Sequence, residues 1–201
     1  MDSIIETLGS FLLVVLGSST AIGLLNWYTD KSKRKSEIKY LATRIAVDLE
    51  GYAIDCAEQC SNHISHEKHN GLCGKLISQI PIIPAIGDTE RYDFLDNALL
   101  DQILRLPQQL MLYEREIKSM SDVLDMGYVQ DECCNKTLKI GLQALELSKE
   151  VRSKYHLPKR ELKSGEWDID KFYKEQIEKF NKPSKLHTDK IEVDSTDKDL
   201  N

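Results

Sequence analysis

The sequence predicts an all-α protein: an N-terminal transmembrane helix, nearly continuous with a long first cytoplasmic helix, then an antiparallel helical bundle and a disordered polar tail. Three observations predict it. An uncharged run of 23 residues lies near the N-terminus. Apolar residues then recur at steps of three and four through most of the chain. No segment shows the strict alternation of a half-buried strand.

The run is Thr7 to Thr29, TLGSFLLVVLGSSTAIGLLNWYT. As a helix it extends ~34 Å, enough for a hydrocarbon core of ~30 Å. Only Asp2 and Glu6 are charged before it, so the positive flank of a secretory signal is missing. Ser19-x-Ala21 resembles a cleavage site only loosely. Positive charge follows the run instead, at Lys31, Lys33, Arg34 and Lys35, then Lys39 and Arg44. By the positive-inside rule, residues 1–6 cross the plasma (inner) membrane and the body stays in the cytoplasm. Trp27 and Tyr28 stand where an aromatic belt meets the headgroups. With residues 30–35 they form the expected membrane-anchoring and lipid-headgroup contact, the bilayer being the first partner. Gly17 with Ala21, and Ser19 with Gly23, are spaced by four and would let two spans approach. Such residues are also simply common in membrane helices.

The body is expected at residues 36–180. Ile38, Leu41, Ile45, Leu49, Tyr52, Cys56, Cys60 and His63 fall on one helical stripe, with Arg44, Asp48, Asp55 and Glu58 opposite. There is no Gly or Pro between Gly23 and Gly51, so nothing local interrupts a helix from about Ile4 to His66. Gly71 and Gly74 end it. Ile80-Pro-Ile-Ile-Pro-Ala-Ile-Gly87 cannot be a regular helix and reads as an extended strap over apolar faces. A second helix is expected from about Glu90 to Arg105, capped by Asp88 or Thr89. Pro107 fits the first turn of a third, with Leu106, Leu110, Tyr113, Ile117, Met120 and Leu124 inward and Gly127 as terminator. A fourth, about Val129 to Tyr155, presents Cys134, Leu138, Gly141, Leu145 and Ser148, and Pro158 stops it. A last amphipathic helix covers about Ile169 to Phe180. Residues 181–201 are polar and without period, as in a disordered tail.

The charge balance, 27 − 33 = −6, argues against a nucleic-acid partner. The densest ligand-type cluster is Cys56, Cys60, His63 and Cys73, with His66 and His69 between. Zinc takes Cys and His tetrahedrally, and an i, i+4 pair on a helix can grip one ion. Against this, Cys56 and Cys60 share the core-facing stripe, where free cysteine behaves as a small apolar residue. Cys133 and Cys134 are vicinal, and helix geometry would bury one more than the other. An odd count of 5 cysteines in a cytoplasmic body speaks against a disulfide framework. No phosphate-binding glycine loop, zinc-protease helix, nucleophile elbow or di-iron Glu-x-x-His motif is present. The sequence therefore predicts a non-enzymatic module that binds a protein partner or itself. A membrane-tethered metal or redox protein built on Cys56, Cys60, His63 and Cys73 is the alternative.

Overall fold

The computed structural model of the chain describes residues 2–85, 95–165 and 167–181; the side chains of residues 2–26, 28, 163, 180 and 181 lie outside the description. Among the described residues there are four helices, α1 (Asp2–Lys68), α2 (Asn97–Ser121), α3 (Met126–Lys154) and α4 (Ile169–Asn181), and one short hairpin. The protein is predominantly helical, as expected.

Helix α1 is 67 residues of unbroken helix, ~100 Å at 1.5 Å per residue. Its buried stripe begins at Leu41 and continues through Ile45, Leu49, Tyr52, Cys56, Cys60 and His63. Ala42, Ala46, Ala53 and Ala57 are buried beside it, and their small side chains bring α3 close. Residues 29–37 are exposed all round, so this part of the rod stands clear of the bundle. Among the described residues no helix is long and apolar enough to cross a membrane. The expected span at 7–29, with its small-residue pairs, falls almost wholly on residues whose side chains are outside the description.

The C-terminus of α1 is closed by a Schellman turn. Asn70 is left-handed at φ 50°, the Gly71 N–H donates to the His66 carbonyl at 2.8 Å, and the Asn70 N–H donates to Glu67. Gly74, at φ 79°, then lies against α1 so closely that a Cβ would sit 2.1 Å from the Asn62 carbonyl oxygen. The chain returns along α1 as the expected strap: Ile77 and Ile80 are buried, and the Tyr52 hydroxyl donates to the Pro81 carbonyl at 3.1 Å. Ile86 and Gly87 of that strap, the caps expected at Asp88 or Thr89, and Tyr92 lie outside the described residues.

The second and third expected helices are one. Helix α2 starts at Asn97, capped by the Asp96 carboxylate, which accepts from the Ala98 and Leu99 N–H groups, and it passes through Pro107. Its buried residues Leu99, Ile103, Leu106 and Leu110 keep helical phase across the proline. Packing that stripe against α3 outweighs the hydrogen bond that Pro107 removes. Gly127 is likewise not a terminator. It occupies the first turn of α3, where its N–H is capped by Asp125 at 3.0 Å. The two-residue strands Lys163–Ser164 and Trp167–Asp168 pair antiparallel, with Gly165 at φ 60° in the turn. They were not expected, because two residues cannot display a period.

Helix α3 is central and packs against each of the other three helices. Its direction follows from the ion pairs. His63 meets Asp131 and Glu50 meets Arg152, so α1 and α3 are antiparallel. Lys154 meets Asp96 and Lys136 meets Glu116, so α2 is antiparallel to α3 as well. Helix α4 docks through buried Ile169 and Tyr173, where the expected last helix lies. The Tyr173 hydroxyl donates to the Ala53 carbonyl at 2.6 Å. Because α3 is covered from several sides, Cys133 and Cys134 are both buried, where one was expected to be less buried than the other.

Candidate functional site

The residues singled out by the sequence fall in three places. On the stretch of α1 that precedes the bundle, Trp27 is 60% exposed and the Lys31 ammonium lies 4.9 Å from its ring centroid, a cation–π contact. Lys31, Lys33, Arg34 and Lys35 are all exposed. The Tyr28 side chain is outside the description.

Further along α1, the four expected zinc ligands are not brought together. Cys56 and Cys60 are fully buried on the face that meets α3, whereas Cys73 is exposed beyond the Schellman turn. The Cys60 thiol donates to the Cys134 carbonyl at 3.5 Å. Burial pushes the Cys56 thiol up to about 12 and the Cys133 thiol up to about 11. Contact with Cys134, then burial, raises Cys60 as well. These thiols are held protonated, which suits core packing and opposes a nucleophilic role. One of the five cysteines, Cys73, is therefore expected to react with a thiol reagent under native conditions, and the other four only after unfolding. A second fast equivalent, located by mass spectrometry, would contradict this burial.

What does converge is His63 with two carboxylates. Among the described residues, the ligand atoms of His63, Glu67 and Asp131 form a group lying within 4.8 Å of one another. His63 Nε2 is 3.3 Å from Asp131 Oδ1 and 4.0 Å from Glu67 Oε1. The His63 ring is 1% exposed, while both carboxylates are 51% exposed, so the site has a buried floor and an open mouth. His63 Nδ1 is buried without a hydrogen-bond partner. Partial desolvation and then the neighbouring Asp131 carboxylate raise the Glu67 carboxyl above its ordinary value. Of the expected ligands, His63 alone belongs to this group. Glu67 was visible at i+4 on the same helix; Asp131, 68 residues away, carried no sequence signal.

The third place was not anticipated. Glu50, on the edge of the α1 stripe, is 3% exposed and holds Arg152 of α3 through two hydrogen bonds, 2.5 Å to Nε and 3.0 Å to Nη2. Arg160 adds a contact at 3.3 Å. A cavity of about 640 Å³ opens beside the pair, with Lys149, His156 and Lys159 also in its wall. Glu50 is shared by Arg152 and Arg160, and Asp170 pairs with Lys149, so several of the charges in this wall pair with one another.

No protein-family model matches the chain, no curated protein matches it, and no solved structure matches its fold.

Proposed function

We propose that the chain is a single-pass membrane protein whose first helix leaves the bilayer and continues into a cytoplasmic helical bundle, and that the bundle is a non-enzymatic module for assembly with itself. The observation that carries this reading is the unbroken course of α1: the 23-residue uncharged run, the basic segment and the buried stripe of the bundle belong to one helix. Between Thr29 and the first buried residue, Leu41, ~18 Å of helix separates the end of the run from the bundle. The position of Trp27 and Lys31 supports an interfacial belt on this rod. The basic residues after the run support the orientation with the N-terminus outside.

Apolar exposure supports the assembly role. On the flank of α2, Leu104 and Met111 stand two turns apart and about half exposed, with Leu112 beside them. A second copy anchored in the same membrane presents the same surface, and closed pairing is the commonest way such surfaces are covered.

Membrane insertion is tested by alkaline extraction of membranes, where the chain stays in the pellet; release to the supernatant removes the anchor. A fluorescent reporter fused after Asn201 is expected to be active in the cytoplasm, and alkaline phosphatase at the same point inactive. The reverse pattern overturns the orientation. Replacing Lys31, Lys33, Arg34 and Lys35 together by glutamine is expected to give mixed orientation, since most of the charge bias is removed. Crosslinking in mild detergent is expected to trap dimers that Leu104→Glu with Met111→Glu abolishes. A strictly monomeric chain would sink the assembly role while leaving the anchor intact.

A further inference from the structure

From this geometry we infer that His63, Glu67 and Asp131 form a binding site for one divalent transition-metal ion of the zinc type, joining the C-terminal end of α1 to the N-terminal part of α3. The inference is independent of the membrane reading and replaces the cysteine set as the place where a metal would sit.

Three features carry it. The first is geometry. A tetrahedral ion with Zn–N and Zn–O bonds of ~2.0 Å holds its ligand atoms ~3.3 Å apart. His63 Nε2 and Asp131 Oδ1 already stand at 3.3 Å. Glu67 Oε1, at 4.0 Å from the same nitrogen and within 4.8 Å of the Asp131 ligand oxygen, is on a half-exposed side chain that can rotate to close the remaining distance. His63 and Glu67 are one helical turn apart, the spacing at which two side chains of a helix reach the same point. Asp131 closes the site from the facing helix, which removes the difficulty of wrapping four ligands along one helix.

The second feature is an electrostatic deficit. Two carboxylates gather at the His63 nitrogen and at each other, with His66 as the other cationic neighbour of Glu67. A cation in the middle satisfies both carboxylates and the nitrogen lone pair together.

The third is preorganisation. The His63 ring is 1% exposed and fixed by packing, with Nε2 directed at the carboxylates, so little rotamer freedom is lost on binding. The exposed mouth leaves a fourth position for water.

The donor set narrows the ion. One imidazole with two carboxylates suits zinc and its neighbours, cobalt, iron, nickel and manganese, better than calcium or magnesium, which take oxygen ligands. Ligation through Nε2 places the ring proton on Nδ1, which has no acceptor beside it. Zinc-bound histidines ordinarily donate that proton to a second partner, and its absence lowers affinity by about 10–100-fold. Dissociation constants on the order of micromolar follow, weaker than those of structural zinc fingers.

The test uses the full chain in detergent, stripped with a chelator and titrated with Co²⁺, then with Zn²⁺ as competitor. One equivalent of Co²⁺ is expected to bind with visible d–d absorption and without the near-ultraviolet band of thiolate-to-cobalt charge transfer. Glu67→Gln and Asp131→Asn are each expected to weaken binding by about tenfold or more, and Cys73→Ser to leave it unchanged. Both carboxylates are half exposed, so the variants should keep the parent's thermal unfolding in the presence of chelator. The site is overturned if stoichiometric uptake is absent at ~100 μM metal, a hundredfold above the expected constant. It is equally overturned by a thiolate band, or by binding that survives both carboxamide substitutions.

Discussion

Replacing Gly141 by alanine is expected to destabilise the bundle by about 2–3 kcal/mol, although alanine is the better helix former by about 1 kcal/mol. The sign is set by space. A Cβ at this point of α3 would lie 2.1 Å from Tyr173 Oη, 2.9 Å from Tyr173 Cζ and 2.7 Å from Cys56 Cβ. The tyrosine cannot swing away, because its ring is fully buried and its hydroxyl is tied to the Ala53 carbonyl. The Cys56 Cβ is fixed to the backbone of α1, so α1 and α3 would have to separate. Gly141 thus lets three helices meet at one point. Denaturant unfolding of the full chain in detergent measures the effect. Adding Tyr173→Phe to Gly141→Ala should recover only part of the loss, since the approach to Cys56 remains. A more stable Gly141→Ala protein would show that the helices are not packed this closely.

Removing Glu50 should cost more. Glu50→Ala is expected to lower stability by about 3–5 kcal/mol, because it strands the Arg152 guanidinium in the protein interior. Arg152 is 8% exposed; its Nη1 donates to the Pro158 carbonyl at 2.9 Å, and its other donors are directed at Glu50. The bond to Glu50 strengthens the hold of the guanidinium on its proton, so Arg152 does not escape by becoming neutral. Arg160, also in contact with Glu50, would lose its partner as well. The pair itself is not expected to be a large net contribution. Replacing Glu50 by leucine and Arg152 by methionine together should therefore cost less than Glu50→Ala alone. A Glu50→Ala variant within ~0.5 kcal/mol of the parent would mean that the pair is solvated.

Both residues show where local reading stops. Gly141 was placed correctly on the inward stripe of its helix, yet a glycine on such a stripe looks like a weakness. Its value depends on Tyr173, which lies 32 positions later in another helix. Glu50 sits next to Leu49 and at sequence level resembles the solvated acids around it. Only the position of Arg152 makes it a core residue. The cysteines were legible in part. Cys56 and Cys60 on the stripe implied burial, and they are buried; the metal set drawn through them fails because Cys73 lies beyond a turn that points it to solvent.

Pro107 and Gly127 are instructive for the opposite reason. Each carries a strong local preference, for starting and for ending a helix, and each is overruled. The stripe Leu99, Ile103, Leu106 and Leu110 stays in phase against α3, and burial of four large side chains exceeds the ~3 kcal/mol that an interior proline costs. The Asp125 cap likewise starts α3 one residue before Gly127.

By itself, then, the sequence determined the helical class, the continuity of α1, the face that α1 and α3 bury, and the last helix at Ile169. These depend on periodicity and on the absence of breakers, which are properties of neighbouring residues. The tertiary structure decided that α2 is one helix, that α3 is central, that Glu50 and Arg152 are buried as a pair, and that His63 meets Glu67 and Asp131. Each of those depends on which residues, far apart in the chain, are pressed together when α3 is covered from several sides. Packing energy and charge pairing act through space, and a one-dimensional pattern does not contain those distances.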